Sequence, residues 1–293
     1  MTMLKQLVKA ILPHGLVVWR RQAREERARA AAEAAKAAYH AERRERINAV
    51  EGDAGTKNTF AGDDYERIIQ FFVRRGLPEH HVREGSVPPA SLEFVRDHVI
   101  AKLPGDRPLR ALHVGNFVGV SLTFFTAAIV RRHAQSLVVS VDPNLTHRGI
   151  VHPQSHVLAL LSACGLQSNS LVLAGYSGKK SISNDATVFE GYDPAKEFAN
   201  EAAGEETLRN LGELLPAGFD LIFLDGNHEA NYLLNEMKQV VPLLRPGGYV
   251  VLDDVDAAWA EIRDVFQKIS TFGLDPVDAN GRVGIARART AHS

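Results

Sequence analysis

Three aspartates and a histidine stand at the ends of two short apolar runs: Asp225 and His228 follow FDLIFLDG (219–226), and Asp253 and Asp254 fall within YVVLDDV (249–255). Carboxylates brought within about 4 Å of one another repel by several kcal/mol even at an effective dielectric near 20. A converging set therefore asks for a proton or a cation. Oxygen donors favour a hard ion such as Mg2+, and a bound ion lowers the pKa of a hydroxyl that it also holds. Imidazole titrates near neutral pH, so His228 is a candidate base beside such a site. The competing readings are structural: a helix N-cap for Asp253 or Asp254, and a solvent-facing position at a helix start for His228.

The elements around these residues must bring them together. Between the two runs, Glu229 to Leu244 has helical spacing, with Tyr232, Leu233, Met237, Val240, Val241 and Leu244 on one side, and Arg245-Pro246-Gly247-Gly248 predicts its stop. Strand, helix, strand implies a right-handed crossover and parallel neighbours, so both runs end on one edge of the sheet. Open α/β sheets bind ligands at that edge. Upstream, the strand Arg110–Val114 enters Gly115-Asn116-Phe117-Val118-Gly119-Val120-Ser121 and then a helix through Arg132. A strand, glycine turn and helix let backbone amides meet a ligand closely, although G-x-x-x-G-x-S is not the dinucleotide G-x-G-x-x-G. The next strand, Leu137–Val141, ends at Asp142-Pro143. An acid there can accept both hydroxyls of a ribose, or merely start an Asp-Pro turn.

The pattern continues with a helix over Ser155–Gly165, a strand over Ser170–Ala174, a polar segment over Gly175–Asn200 with the character of a lid, and a helix over Glu201–Leu215. Glu261–Thr271 is helical, and Asn280-Gly281 within Pro276–Ala288 predicts a closing antiparallel hairpin. Ahead of the sheet, Asp64–Arg75 and Ala90–Leu103 have helical faces. His80 and His81 fall in a loop, where adjacent side chains diverge, and His147, His152 and His156 have no regular metal spacing, which suits surface or substrate-loop roles.

The chain has 293 residues, a net charge of −1 and one cysteine, Cys164. Near-neutral charge argues against a nucleic-acid protein held by bulk charge, and a lone cysteine excludes an intrachain disulfide framework and suits a reducing cytoplasm. No run approaches the ~18 apolar residues of a membrane span, and no signal-peptide pattern opens the chain. The expected location is cytoplasmic. Met3–Leu12 is amphipathic, and Leu16–Ile47 is a charged, alanine-rich helix without an apolar stripe after Trp19. This helical arm (1–48) is a candidate for peripheral docking at the inner membrane surface, for a protein partner or for homo-oligomerisation. A linker (49–63) precedes the main domain (64–293).

Together, the G-x-x-x-G turn, the acid after the second strand, the D-G after the fourth, the P-G-G before the fifth and the terminal hairpin resemble the class I S-adenosylmethionine-dependent methyltransferases over about Gly85–Ala288. LDGNHEANYLLNEMKQVVPLLRPGGYVVLDDV is similar to the small-molecule and sugar O-methyltransferases that use a divalent cation, and KAILPHGLVVWRRQ resembles segments attached to bacterial cell-surface polysaccharide methyltransferases. The resemblance implies a Rossmann-like doubly wound α/β sheet, mostly parallel, in the order 3-2-1-4-5-7-6. It implies S-adenosyl-L-methionine as cofactor, held by Gly85, Ser86, Gly115, Asn116, Gly119, Ser121, Asp142, Tyr176, Ser177 and Asp225. It further implies a metal, Mg2+, on Asp225, Asp253 and Asp254, with Asp225 and His228 catalytic and a small-molecule or glycan hydroxyl as acceptor. In the catechol-type relatives asparagine stands at the position of Asp254 and lysine at that of His228. A nicotinamide-dependent oxidoreductase or sugar-nucleotide enzyme on a similar sheet is the alternative, as is a non-catalytic scaffold assembled through the arm. The first of these lacks its G-x-G-x-x-G turn and a Tyr-x-x-x-Lys pair.

Overall fold

The computed structural model describes residues 60–178, 207–215 and 218–289, together with Arg27, Ala30 and Ala34, which are helical and exposed. The expected arm, most of the linker and the lid-like segment beyond Gly178 lie otherwise outside the described residues. The chain divides into Met1–Lys57 and Asn58–Ser293, and the sheet belongs to the second unit.

Seven strands form one sheet in the order β3-β2-β1-β4-β5-β7-β6. They are β1 (Arg110–Val114), β2 (Leu137–Asp142), β3 (Ser170–Ala174), β4 (Phe219–Leu224), β5 (Leu244–Leu252), β6 (Leu274–Ala279) and β7 (Gly284–Ala288). The first five run parallel, and β7 pairs antiparallel with both β5 and β6, as the hairpin signal predicts. Every residue of β4 is buried. That explains why, Asp220 apart, its sequence is a continuous apolar run rather than an alternating one: helices cover both faces of a parallel sheet.

The helices are α1 (Tyr65–Arg74), α2 (Glu79–Glu84), α3 (Pro89–His98), α4 (Val120–Arg132), α5 (Pro153–Ala163), α6 (Thr207–Leu214), α7 (Ala230–Val240) and α8 (Ala260–Gln267). Asp64 caps α1 by accepting from Arg67 N at 3.2 Å, a contact of about 1 kcal/mol in such positions. Its apolar face, Ile68, Ile69 and Phe72, is then fully buried. At the opposite edge from the site, Asp220 collects Arg107 at 2.6 Å, Arg110 N at 2.9 Å and Arg245 at 3.3 Å.

Two sequence expectations change. His80 and His81 lie in α2, not in a loop, and their rings approach to 4.1 Å; a short helix forms after Pro78 because it buries its one apolar residue, Val82, completely. Arg245-Pro246-Gly247-Gly248 is not a turn separate from the strand. It lies within β5, and a register shift between Phe219 and Leu221 of β4 absorbs it. A bulge accommodates glycine and proline that a regular ladder rejects.

Candidate active site

Beyond the last ladder residues, the parallel register continues by one hydrogen bond per strand. Gly115 N donates to Val141 O at 3.0 Å, Asp225 N to Val114 O at 2.9 Å, Asp253 N to Leu224 O at 3.0 Å and Gly175 N to Asp142 O at 2.9 Å. These bonds set Gly115, Asp225 and Asp253 side by side on the carboxyl edge, where strand order reverses about β1 and β4. Gly115 holds φ at +84°, and a Cβ there would stand 1.8 Å from the Asp225 carbonyl oxygen. Only glycine lets the two strand ends come this close.

A cavity of about 150 Å3 opens on this edge. Gly85, Ser86, Gly115, Asn116, Ser121, Asp142, Tyr176, Ser177, Asp225 and His228 all line it, joined by Phe117, Leu145, His147, Asn227 and Tyr232. Gly119 does not. It starts α4 in the left-handed region, and a Cβ there would meet Val157 of α5 at 3.2 Å, so this glycine serves helix packing. Gly85 has a close neighbour of its own, since a Cβ would come within 2.5 Å of the Phe117 ring.

The Asp142 carboxylate is already engaged. Oδ2 accepts from Asn116 N at 2.6 Å and Phe117 N at 3.3 Å, and Oδ1 accepts from Asn144 N at 2.6 Å. A carboxylate has about four acceptor sites, which leaves room for one ribose hydroxyl rather than the expected two. Burial pushes its carboxyl above the usual range, against the lowering effect of these amides. Asn116 is buried, its Nδ2 donates to Ser140 Oγ at 3.1 Å, and its Oδ1 has no partner. Ser121 Oγ lies 3.1 Å from His113 Nε2, and burial pushes that imidazole down to about 3, so it is neutral.

At one end of the cavity, Asp225 and His228 also line a small void with Asp253, Asp254 and Glu236. Ligand atoms of Asp225, His228 and Asp254 all lie within 4.8 Å of one another. Asp254 holds φ at +59°, a conformation that aspartate adopts more readily than most residues, and its Oδ2 lies 2.6 Å from His228 Nε2. The His228 ring stacks on Trp259 at 4.4 Å. Asp253 is turned to Arg282, whose Nη2 donates to its Oδ2 at 2.7 Å. The converging group is therefore Asp225, His228 and Asp254, with Asp253 beside it rather than in it. Burial and then the charges of Asp253 and Asp254 hold the Asp225 carboxyl well above the ordinary range. The two carboxylates fit a divalent cation: they converge beside an imidazole, and the local excess of negative charge is what a cation would relieve.

The sequence pattern missed Arg282, Trp259, Phe117 and Glu236. For Glu236 a signal existed, since it falls between Tyr232 and Val240 on the apolar face of α7 and is buried there.

Residues 112–255 match the family model described as a methyltransferase domain. Among curated proteins, the uncharacterized protein R132 of Acanthamoeba polyphaga mimivirus is 32% identical over 57 residues, 19% of this chain and 26% of that one. The match thus spans about a quarter of that relative's length. Among solved structures, the O-methyltransferase from Bacillus cereus in complex with SAH is 16% identical, with a TM-score of 0.49 over 76% of this chain and 88% of that chain. CalS11, a TDP-rhamnose 3'-O-methyltransferase of calicheamicin biosynthesis, is 14% identical, with a TM-score of 0.48 over 76% and 92%.

Proposed function

We propose that this chain, whose residues 112–255 match the model of a methyltransferase domain, is an S-adenosylmethionine-dependent enzyme of the class I kind that transfers the methyl group to a hydroxyl of a small molecule or glycan, with help from a divalent cation at Asp225 and Asp254. The observation that carries this reading is the shared lining: Asp225 and His228 face both the cavity and the acidic void. A cofactor in the first is thereby adjacent to a charged centre in the second.

The cavity suits S-adenosylmethionine, which supplies an electrophilic methyl group on a sulfonium when bound. Asp142 receives a ribose hydroxyl, Tyr176 and Ser177 border the adenine, and Gly85 and Ser86 lie at the methionine end. The unpartnered, buried Oδ1 of Asn116 offers an acceptor to the cofactor's polar end. Ser121 offers a second, because His113 is neutral and its Nε2 can accept the hydrogen bond that the Ser121 hydroxyl donates.

At the acidic centre a bound Mg2+ or Mn2+ supplies Lewis acidity toward the acceptor hydroxyl. His228 takes the hydroxyl proton. Asp254, 2.6 Å away, orients the imidazole and stabilises its cation, the role a carboxylate plays for a histidine base. Trp259 fixes the ring plane. Aligning oxygen, methyl and sulfur in the cavity can lower the barrier by roughly 7 to 11 kcal/mol through proximity, so the base needs to supply only the remainder.

The test is transfer of labelled methyl from S-adenosylmethionine to a panel of sugar and phenol acceptors, run with wild type and His228→Gln. An acceptor labelled by wild type, and labelled at least about a hundredfold more slowly by the variant, supports the reading. Equal rates in the two proteins remove His228 from the chemistry.

A further inference from the structure

Arg282 belongs to the acidic centre, yet neither cofactor binding nor proton transfer gives it a task. It lies in the turn between β6 and β7, with its backbone fixed on both sides. Its N–H donates to Asn280 Oδ1 at 3.1 Å, and its carbonyl accepts from Val255 N at 2.8 Å, just past the end of β5. Asn280 Nδ2 is in turn held by Ser91 Oγ of α3 at 3.1 Å. From this anchor the guanidinium embraces Asp253, with Nε at 3.0 Å and 3.2 Å from the two carboxylate oxygens and Nη2 at 2.7 Å. Nη2 also stands 3.4 Å from Asp254 Oδ1. The Asp253 side chain is 1% exposed and that of Arg282 34%, so the pair is largely shielded from water on the carboxylate side.

We infer that Arg282 is the resident cation of the acidic centre: it holds Asp253 out of the ligand set, limits that set to Asp225 and Asp254 beside His228, and keeps the affinity for divalent ions low. A guanidinium does not deprotonate in proteins, so it can leave Asp253 only as a charge. The forked arginine–carboxylate contact is also the strongest form of such a pair. A divalent ion that recruited Asp253 would have to displace this fork and then tolerate the displaced charge nearby. Lysine would keep the charge without the fork, which separates the two parts of the effect. The inference rests on the proposed cation site, but its readout is metal binding alone, so a failure to transfer methyl leaves it standing and a failure here leaves S-adenosylmethionine binding standing.

The full-length chain and its Arg282→Gln, Arg282→Lys, Asp253→Asn, Asp254→Asn and Arg282→Gln/Asp253→Asn variants are titrated with MnCl2 by calorimetry, with circular dichroism and S-adenosylmethionine binding read on the same samples. Arg282→Gln is expected to bind Mn2+ at least about tenfold more tightly than wild type, since the guanidinium charge 3.4 Å from Asp254 Oδ1 is removed and a carboxylate is released. Arg282→Lys stays close to wild type, and the double variant returns to it. Unchanged or weaker Mn2+ binding by folded Arg282→Gln overturns the inference, as does a gain that survives the second substitution or an absence of Mn2+ binding in every protein. Should Arg282→Gln fail to fold, the single aspartate variants decide. Asp254→Asn is expected to lose at least about tenfold more affinity than Asp253→Asn, and equal losses overturn the inference.

Discussion

Glu236 is a buried acid whose titration should be readable in the stability of the whole domain. It is 1% exposed on α7; Ser177 Oγ donates to its Oε1, and its Oε2 has no partner. Burial pushes its carboxyl up to about 8, against the lowering effect of the Ser177 hydrogen bond. In the unfolded chain the same group titrates near 4.3. Between these two values the native state holds a proton that the unfolded state has released. The stability slope, set by protons bound unfolded minus native, is therefore negative, and the contribution present below about pH 4 is lost as pH rises to about 8. The slope is at most about 1.4 kcal/mol per pH unit, and the whole window is worth about 2 to 5 kcal/mol. Glu236→Gln keeps the shape and removes the proton equilibrium. Urea unfolding of both proteins from about pH 5 to about pH 8 should show wild type losing stability against the variant by about 1 kcal/mol per unit. A difference that stays constant across this range would refute the argument, whatever its size.

Gly85→Ala places a Cβ within 2.5 Å of the Phe117 ring, and displacing that ring alters the cavity wall rather than the core. S-adenosylmethionine binding should weaken by at least about tenfold while urea stability changes by less than about 1 kcal/mol, and calorimetry beside an unfolding curve checks both. Asp220→Asn leaves the shape of the ion cluster at the far edge but removes its charge. Each hydrogen bond to a charged group is worth about 1.5 to 3 kcal/mol, so a loss of about 2 to 3 kcal/mol with unchanged S-adenosylmethionine affinity is expected. A loss of affinity there would show that this cluster is coupled to the site.

Much of the architecture was legible because the residues that matter follow apolar runs directly. Asp142, Asp225 and Asp253 each close or follow a run of strand-forming residues, and a parallel sheet puts such positions on one edge whatever the loops do. The hairpin was equally readable from Asn280-Gly281, whose glycine holds φ at +93°. What failed was the part that depends on contacts across the chain. Arg282 lies 29 residues from Asp253, and its pattern announces a turn, not a counter-ion. The withdrawal of Asp253 from the carboxylate group follows from that one contact and from nothing within DDVD. Gly119 is the opposite case: the turn pattern reads it as a cofactor contact, but it does not line the cavity and α5 packs against it. Asp142 falls between these cases, at the expected place but with most of its acceptor capacity already given to backbone amides.

The central claim is that the cavity holds S-adenosylmethionine with Asp142 at its ribose. Calorimetric titration of S-adenosylmethionine into the full-length protein, with and without Mg2+ and beside Asp142→Ala, tests it most directly. The account predicts saturable binding by wild type that weakens at least about tenfold in the variant, the loss of about one charge-assisted hydrogen bond. Folded wild-type protein that takes up no S-adenosylmethionine under either condition would contradict it.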